Sequence, residues 1–82
     1  MTLEQLIYYK RTSTKIVVTK ITLSTEEQEL IFSGYETDVC NEVTPEFMEF
    51  FEKYKNNHVI NFGTMIDQNG IPYIDVLVLV LA

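Results

Sequence analysis

The stretch IDVLVLVLA, residues 74 to 82, decides the fold of this 82-residue chain. A helix that crosses a membrane needs about 20 apolar residues, and this run is less than half that and is interrupted by Asp75. Its alternating valines and leucines suit a strand instead. In a strand successive side chains point to opposite faces, so Val76, Val78 and Val80 form one apolar row and Leu77 and Leu79 form another. Both rows need cover, which places this strand inside a sheet.

Working backwards, HVINFGTMIDQNGIPY supplies the strand's hairpin partner. Asn69-Gly70 tolerates positive φ and reads as a two-residue hairpin loop. That loop sets Ile66 opposite Tyr73, Phe62 opposite Leu77 and Ile60 opposite Leu79 on one face. Gly63 with Val76, Asn61 with Val78 and Val59 with Val80 then share the other. Pro72 has no N–H to donate, so no outer neighbour of the last strand is expected near the turn.

Upstream, TPEFMEFFEKYKNN (44 to 57) carries Thr44 as an N-cap, Pro45 at the first helical position, and Lys53 and Lys55 in its last turn. Phe47, Phe50, Phe51 and Tyr54 follow helical spacing and form one apolar stripe that packs on the sheet's Leu77 and Leu79 face. TKIVVTKITL (14 to 23) and ELIFSGY (29 to 35), separated by the polar turn STEEQ, read as a first hairpin. Gly34 marks a bulge or a close backbone approach. Thr2 and Gln5 form a capping box for a short N-terminal helix ending near Arg11. The expected fold is a single α+β domain over residues 1 to 82. It has a mainly antiparallel four-stranded sheet made of two hairpins, one long amphipathic helix across it, and the short N-terminal helix.

In this arrangement Val76, Val78 and Val80 face away from the aromatic helix. Burying three valines contributes about 5 kcal/mol by transfer. The row is therefore a candidate self-association surface, covered by the first helix or by a second copy of the chain, and a homodimer is expected.

The net charge of −6 is unevenly placed. Residues 21 to 52 carry acids from Glu26 to Glu52 and neither Lys nor Arg. Glu42, Glu46, Glu49 and Glu52 are the candidate partner-binding residues, because acids on one side of a helix present a field to a basic partner. YYKRTSTK (8 to 15) sets aromatics beside cations. The rest of the chain is acidic, so direct nucleic-acid binding is not expected; Lys10 and Arg11 read as a helix C-terminus with two half-buried tyrosines.

The chemical inventory predicts no catalytic, cofactor or metal site. His58 follows a helix with no carboxylate or serine tied to it by motif. The lone Cys40 sits in YETDVCNEV, an acidic setting that does not activate a thiolate. No phosphate-binding, dinucleotide-binding, zinc or calcium spacing occurs. The first residues lack a basic segment followed by an apolar run, so a cytoplasmic location and no membrane contact are expected.

TLEQLI, LIFSGYETDV and VINFGTMIDQNGIPYIDV together resemble small uncharacterised acidic proteins carried by phages and mobile elements of low-GC bacteria. The resemblance spans most of the chain apart from TPEFMEFFEKYKNN. It implies a non-enzymatic accessory role, some such proteins acting against host defence nucleases. The expected function is a protein-binding module. The alternative is an acidic inhibitor that occupies the nucleic-acid-binding site of a host defence nuclease, in the manner of an anti-CRISPR DNA mimic.

Overall fold

The computed structural model describes residues 1–9 and 14–81. In chain order the elements are α1 (Leu3–Tyr9), β1 (Lys15–Thr22), β2 (Gln28–Gly34), α2 (Pro45–Tyr54), β3 (Val59–Ile66) and β4 (Pro72–Val80). The capping box at Thr2 forms: its N–H donates to Gln5 Oε1 at 2.8 Å, and its hydroxyl accepts from Gln5 N–H at 3.3 Å. Thr44 caps α2 by accepting from Phe47 N–H at 3.2 Å. The aromatic helix is shorter than expected, at 10 residues. Lys55 caps it, its N–H donating to Phe51 O at 2.8 Å, and Asn57 N–H donates to Tyr54 O at 2.9 Å. The Lys55 and Asn57 carbonyls accept from Glu4 and Leu3 N–H at 2.9 and 3.0 Å, so the segment that leaves α2 satisfies orphan donors that open α1.

The four strands form one sheet in the order β2-β1-β4-β3. The two hairpins are antiparallel, but they meet through a parallel pairing of β1 with β4. The sheet is therefore mixed. The physical reason is the helix: β2, α2 and β3 form a strand–helix–strand crossover between the two edges, which makes those edge strands parallel. The inner strands, each antiparallel to its own edge partner, are then parallel to each other.

The last hairpin differs from expectation by one residue. Its loop has three residues, Gln68 to Gly70, rather than two, because Asp67 N–H donates to Ile71 O at 3.0 Å. The Asp67 carboxylate holds the loop by accepting from Asn69 and Ile71 N–H at 2.8 and 2.9 Å. Gly70 supplies the positive φ of +77° that such a loop requires. Ile66 consequently pairs with Pro72, Gly63 with Asp75 and Phe62 with Val76. A slip of one residue moves every side chain to the opposite face.

Val76 and Val78, expected on the face away from the aromatic helix, are fully buried beneath both helices, and Val80 lies in the same row, half-buried. They form no surface for a second copy. Leu77 and Leu79 take the other face. Ile60 is an extra residue at the start of β3, which returns Val59 to the side of Val78. Pro72 behaves as expected, since the β1 ladder joins β4 only from Tyr73 onward.

The buried side chains form one cluster: Leu3, Leu6 and Ile7 of α1, Phe47 and Phe50 of α2, and Ile16, Val18, Val59, Val76 and Val78 of the sheet. Both helices thus share one face. The expectation that α1 would cover the far face fails because α1 is tied to the end of α2. On β2, Ile31 is a bulge between the Val18–Phe32 and Thr19–Leu30 pairs, so the bulge falls there and not at Gly34. The bulge turns Phe32 onto Phe50, with ring centroids 4.8 Å apart, and edge-on to Phe47.

Candidate functional site

Among the described residues the far face of the sheet carries no helix. The register places Lys15, Val17, Thr19 and Ile21 of β1 there, beside Tyr73, Asp75, Leu77 and Leu79 of β4. Val17, Ile21, Leu77 and Leu79 are half-buried within the sheet's own rows of side chains, and among the described residues both helices pack on the opposite face. Gly63, opposite Asp75, adds no side chain, and its Cβ position meets nothing within 4 Å. The result is a shallow depression of about 250 Å³, lined by Thr19, Asn61, Gly63, Met65, Asp75 and Leu77. At one end Lys15 Nζ stands 6.0 Å from the Tyr73 ring centroid, a cation–π distance. Polar groups therefore lie among and around the aliphatic side chains.

The four acids singled out from the sequence divide into two groups. Glu46 and Glu49 line one groove between α2 and β2, which Glu29 also lines. Cations meet these acids. Lys20 Nζ lies 3.2 Å from Glu29 Oε2, and Lys53 lines the groove. The hydrogen bond to Glu29, followed by the nearby Tyr54 and the Glu29 charge, holds the Lys20 ammonium above its ordinary 10.5. Glu52 lies apart from this groove and contacts Lys55 at 3.4 Å. Residues spaced by three rotate about 60° around a helix at each step, so the third acid of the series leaves the face of the first. Glu42 sits in the loop after β2, its N–H donating to Asp38 Oδ1 at 3.1 Å. The structure brings together Glu46 and Glu49, joins Glu29 to them, and leaves Glu42 and Glu52 elsewhere.

Cys40 is exposed in that same loop, where its N–H also donates to Asp38 Oδ1. His58 is exposed beside Thr2, and its carbonyl accepts from Leu79 N–H. Among the described residues no three His, Cys, Asp or Glu side chains are placed to hold a metal ion. Tyr8 and Tyr9, expected half-buried, are 79% and 75% exposed. Their neighbours Lys10, Arg11, Thr12 and Ser13 lie outside the described residues, as does Ala82. No helix among the described residues is long and apolar enough to cross a membrane.

A region that sequence reasoning missed lies at the outer edge of β3. Met1, Leu6 and Tyr9 face Phe62, Thr64 and Ile74 across an apolar cavity of about 380 Å³. Every β3 residue after Val59 is exposed. The signal was present in VINFGTMI, an eight-residue strand without a charge.

Comparison of the chain with protein-family models, with characterised proteins and with solved structures finds no match.

Proposed function

We propose that the protein is a non-enzymatic binding module that engages a protein partner through the bare face of its sheet. The observation that carries this reading is the aliphatic group Val17, Ile21, Leu77 and Leu79 on the two inner strands, with Thr19 and Asp75 set among them and Lys15, Gln28 and Asn61 at the margin. An apolar centre with a polar rim is the anatomy of a protein interface. Four strands of about eight residues span roughly 26 by 19 Å, or about 500 Å² per partner. Standard interfaces bury about 800 Å² per partner, so this face suits a small, reversible contact. The resemblance in its strand pattern supports an accessory role in a phage or mobile element, acting in the cytoplasm without a cofactor.

A second reading draws on Glu29, Glu46 and Glu49 around one groove. In it the protein inhibits a host nuclease by imitating nucleic acid. Lys53 in the groove and Lys20 paired with Glu29 weaken that field, which is why the sheet face is preferred. Capture from cells that express the protein separates the two. The partner is expected to be retained by a Glu46→Gln, Glu49→Gln, Glu52→Gln variant and in elevated salt, and lost with Leu77→Lys. Retention by Leu77→Lys, with loss by the glutamine variant and by salt, would replace the first reading with the second.

A further inference from the structure

The outer edge of β3 is built to pair with another strand. Asp67 and Ile71 form a hydrogen-bonded pair at the loop, and in an antiparallel ladder such pairs recur at every second residue. Asn61, Gly63 and Met65 therefore bond to β4. Phe62, Thr64 and Ile66 turn their N–H and C=O groups outward, where no described residue pairs with them. Proteins usually blunt such an edge with a charge, a proline or a bulge. Residues 61 to 66 contain none of the three. Phe62 is 52% exposed and Ile66 70%.

We infer that this edge takes a second copy of the chain, antiparallel, with Thr64 on the two-fold axis. Three observations fix the occupant and the register. First, the chain carries a net charge of −6, so two copies repel except where they meet without charge. β3 is the strand that has none, whereas β1 carries Lys15 and Lys20, β2 Glu29 and β4 Asp75.

Second, the start of the edge is already occupied. Met1 O accepts from Val59 N–H at 2.8 Å, and Thr2 bridges to His58. A pairing centred on Gly63 would bring Ile66 of the second copy opposite Ile60, against Met1. Centring on Thr64 clears it. Third, that centre sets Phe62 opposite Ile66 of the second copy and Thr64 opposite its own counterpart. Aromatic to β-branched and Thr to Thr are both favourable cross-strand pairs.

About six backbone hydrogen bonds form between the three outward residues of each copy. Ile66 of the second copy reaches the cavity bounded by Leu6, Tyr9 and Phe62. The axis is perpendicular to the sheet. Both bare faces therefore remain free and become continuous, so this pairing does not rest on the proposed partner contact.

The test is covalent capture. In a Cys40→Ser background, Thr64→Cys places two thiols on the axis. Hydrogen-bonded antiparallel partners have Cα atoms about 5.5 Å apart, inside the range of about 4.4–6.8 Å that a disulfide spans. Mild oxidation is expected to convert Thr64→Cys to a linked dimer while Ser33→Cys, on β2, stays single. Light scattering is expected to give the wild type the mass of two chains and Thr64→Lys, which sets two ammonium groups face to face, the mass of one. A wild type of single-chain mass at its highest soluble concentration would overturn the inference. So would a dimer in which Thr64→Cys links no faster than Ser33→Cys, because the copies would then meet elsewhere.

Discussion

β2 and β3 lie at opposite edges of one sheet and are joined by one helix, yet only β2 is guarded. On β2 the Ile31 bulge breaks the ladder, Glu29 is paired with Lys20, and Phe32 is held beneath Phe47 and Phe50. On β3 the ladder is regular from Asn61 to Ile66, no side chain is charged, and the cover is the seven-residue α1. The difference follows from where the aromatic rings fall. Phe47 and Phe50 lean toward β2, so the heavier part of the core seals that edge, while Leu6 and Tyr9 leave a cavity over the other. Closure of an edge in this fold is a property of the helix above it as much as of the strand.

The largest contrast should come from truncating equivalent rings on the two sides. Phe50→Ala removes a buried ring stacked on Phe32 and is expected to destabilise by about 3–5 kcal/mol. Phe62→Ala, on the open edge, should destabilise the single chain by less than about 1 kcal/mol. Urea unfolding at low protein concentration measures both. Comparable losses would mean that β3 is as well covered as β2.

A smaller effect is expected at the loop that sets the β3 register. Asp67→Ala removes the carboxylate that accepts from Asn69 and Ile71 N–H, and should destabilise by about 1–2 kcal/mol. The same variant should broaden the amide resonances of β3 and β4 while leaving β2 sharp. Equal broadening on both edges would show that the loop does not define the register.

The smallest effect concerns the charge that guards β2. The folded protein holds the Lys20 ammonium above its ordinary 10.5, so the contribution of the Lys20–Glu29 pair is complete below that pH and fades as pH rises through the folded value. Glu29→Gln should bring the Lys20 titration back toward 10.5 and flatten the alkaline fall in stability. Titration of the Lys20 side chain by NMR checks this. An unmoved titration would show that Glu29 does not hold Lys20.

Much of the fold was legible because local signals agreed with global ones. β-branched density marked β1, Thr44 and Pro45 marked the start of α2, and the aromatic spacing marked its buried stripe. The parallel centre of the sheet was harder to read. Strand–helix–strand order implies a crossover, but only knowledge that β2 and β3 are edges shows which strands it makes parallel. The far face was misread for a more local reason. Asn69-Gly70 alone reads as a two-residue loop, whereas the Asp67 carboxylate in DQNG accepts from Asn69 and Ile71 N–H and the loop gains one residue. That residue exchanged the valine row for the leucine row. Val78→Lys would therefore place an ammonium in the core and not on a surface. The acidic series divides, with Glu46 and Glu49 in one groove and Glu52 outside it, because spacing by three does not repeat on a helix. The open edge was visible in VINFGTMI, but only the register shows which of its backbone groups turn outward.

Residue-resolved amide hydrogen exchange at two protein concentrations separates an open β3 edge from a guarded β2 edge. At low concentration the Phe62, Thr64 and Ile66 amides should exchange rapidly while Gly63 and Met65 are protected by β4. Raising the concentration should slow Phe62, Thr64 and Ile66 selectively and leave the β2 amides unchanged. Protection of Phe62, Thr64 and Ile66 at both concentrations, or a slowing on β2 in their place, would contradict an open β3 edge.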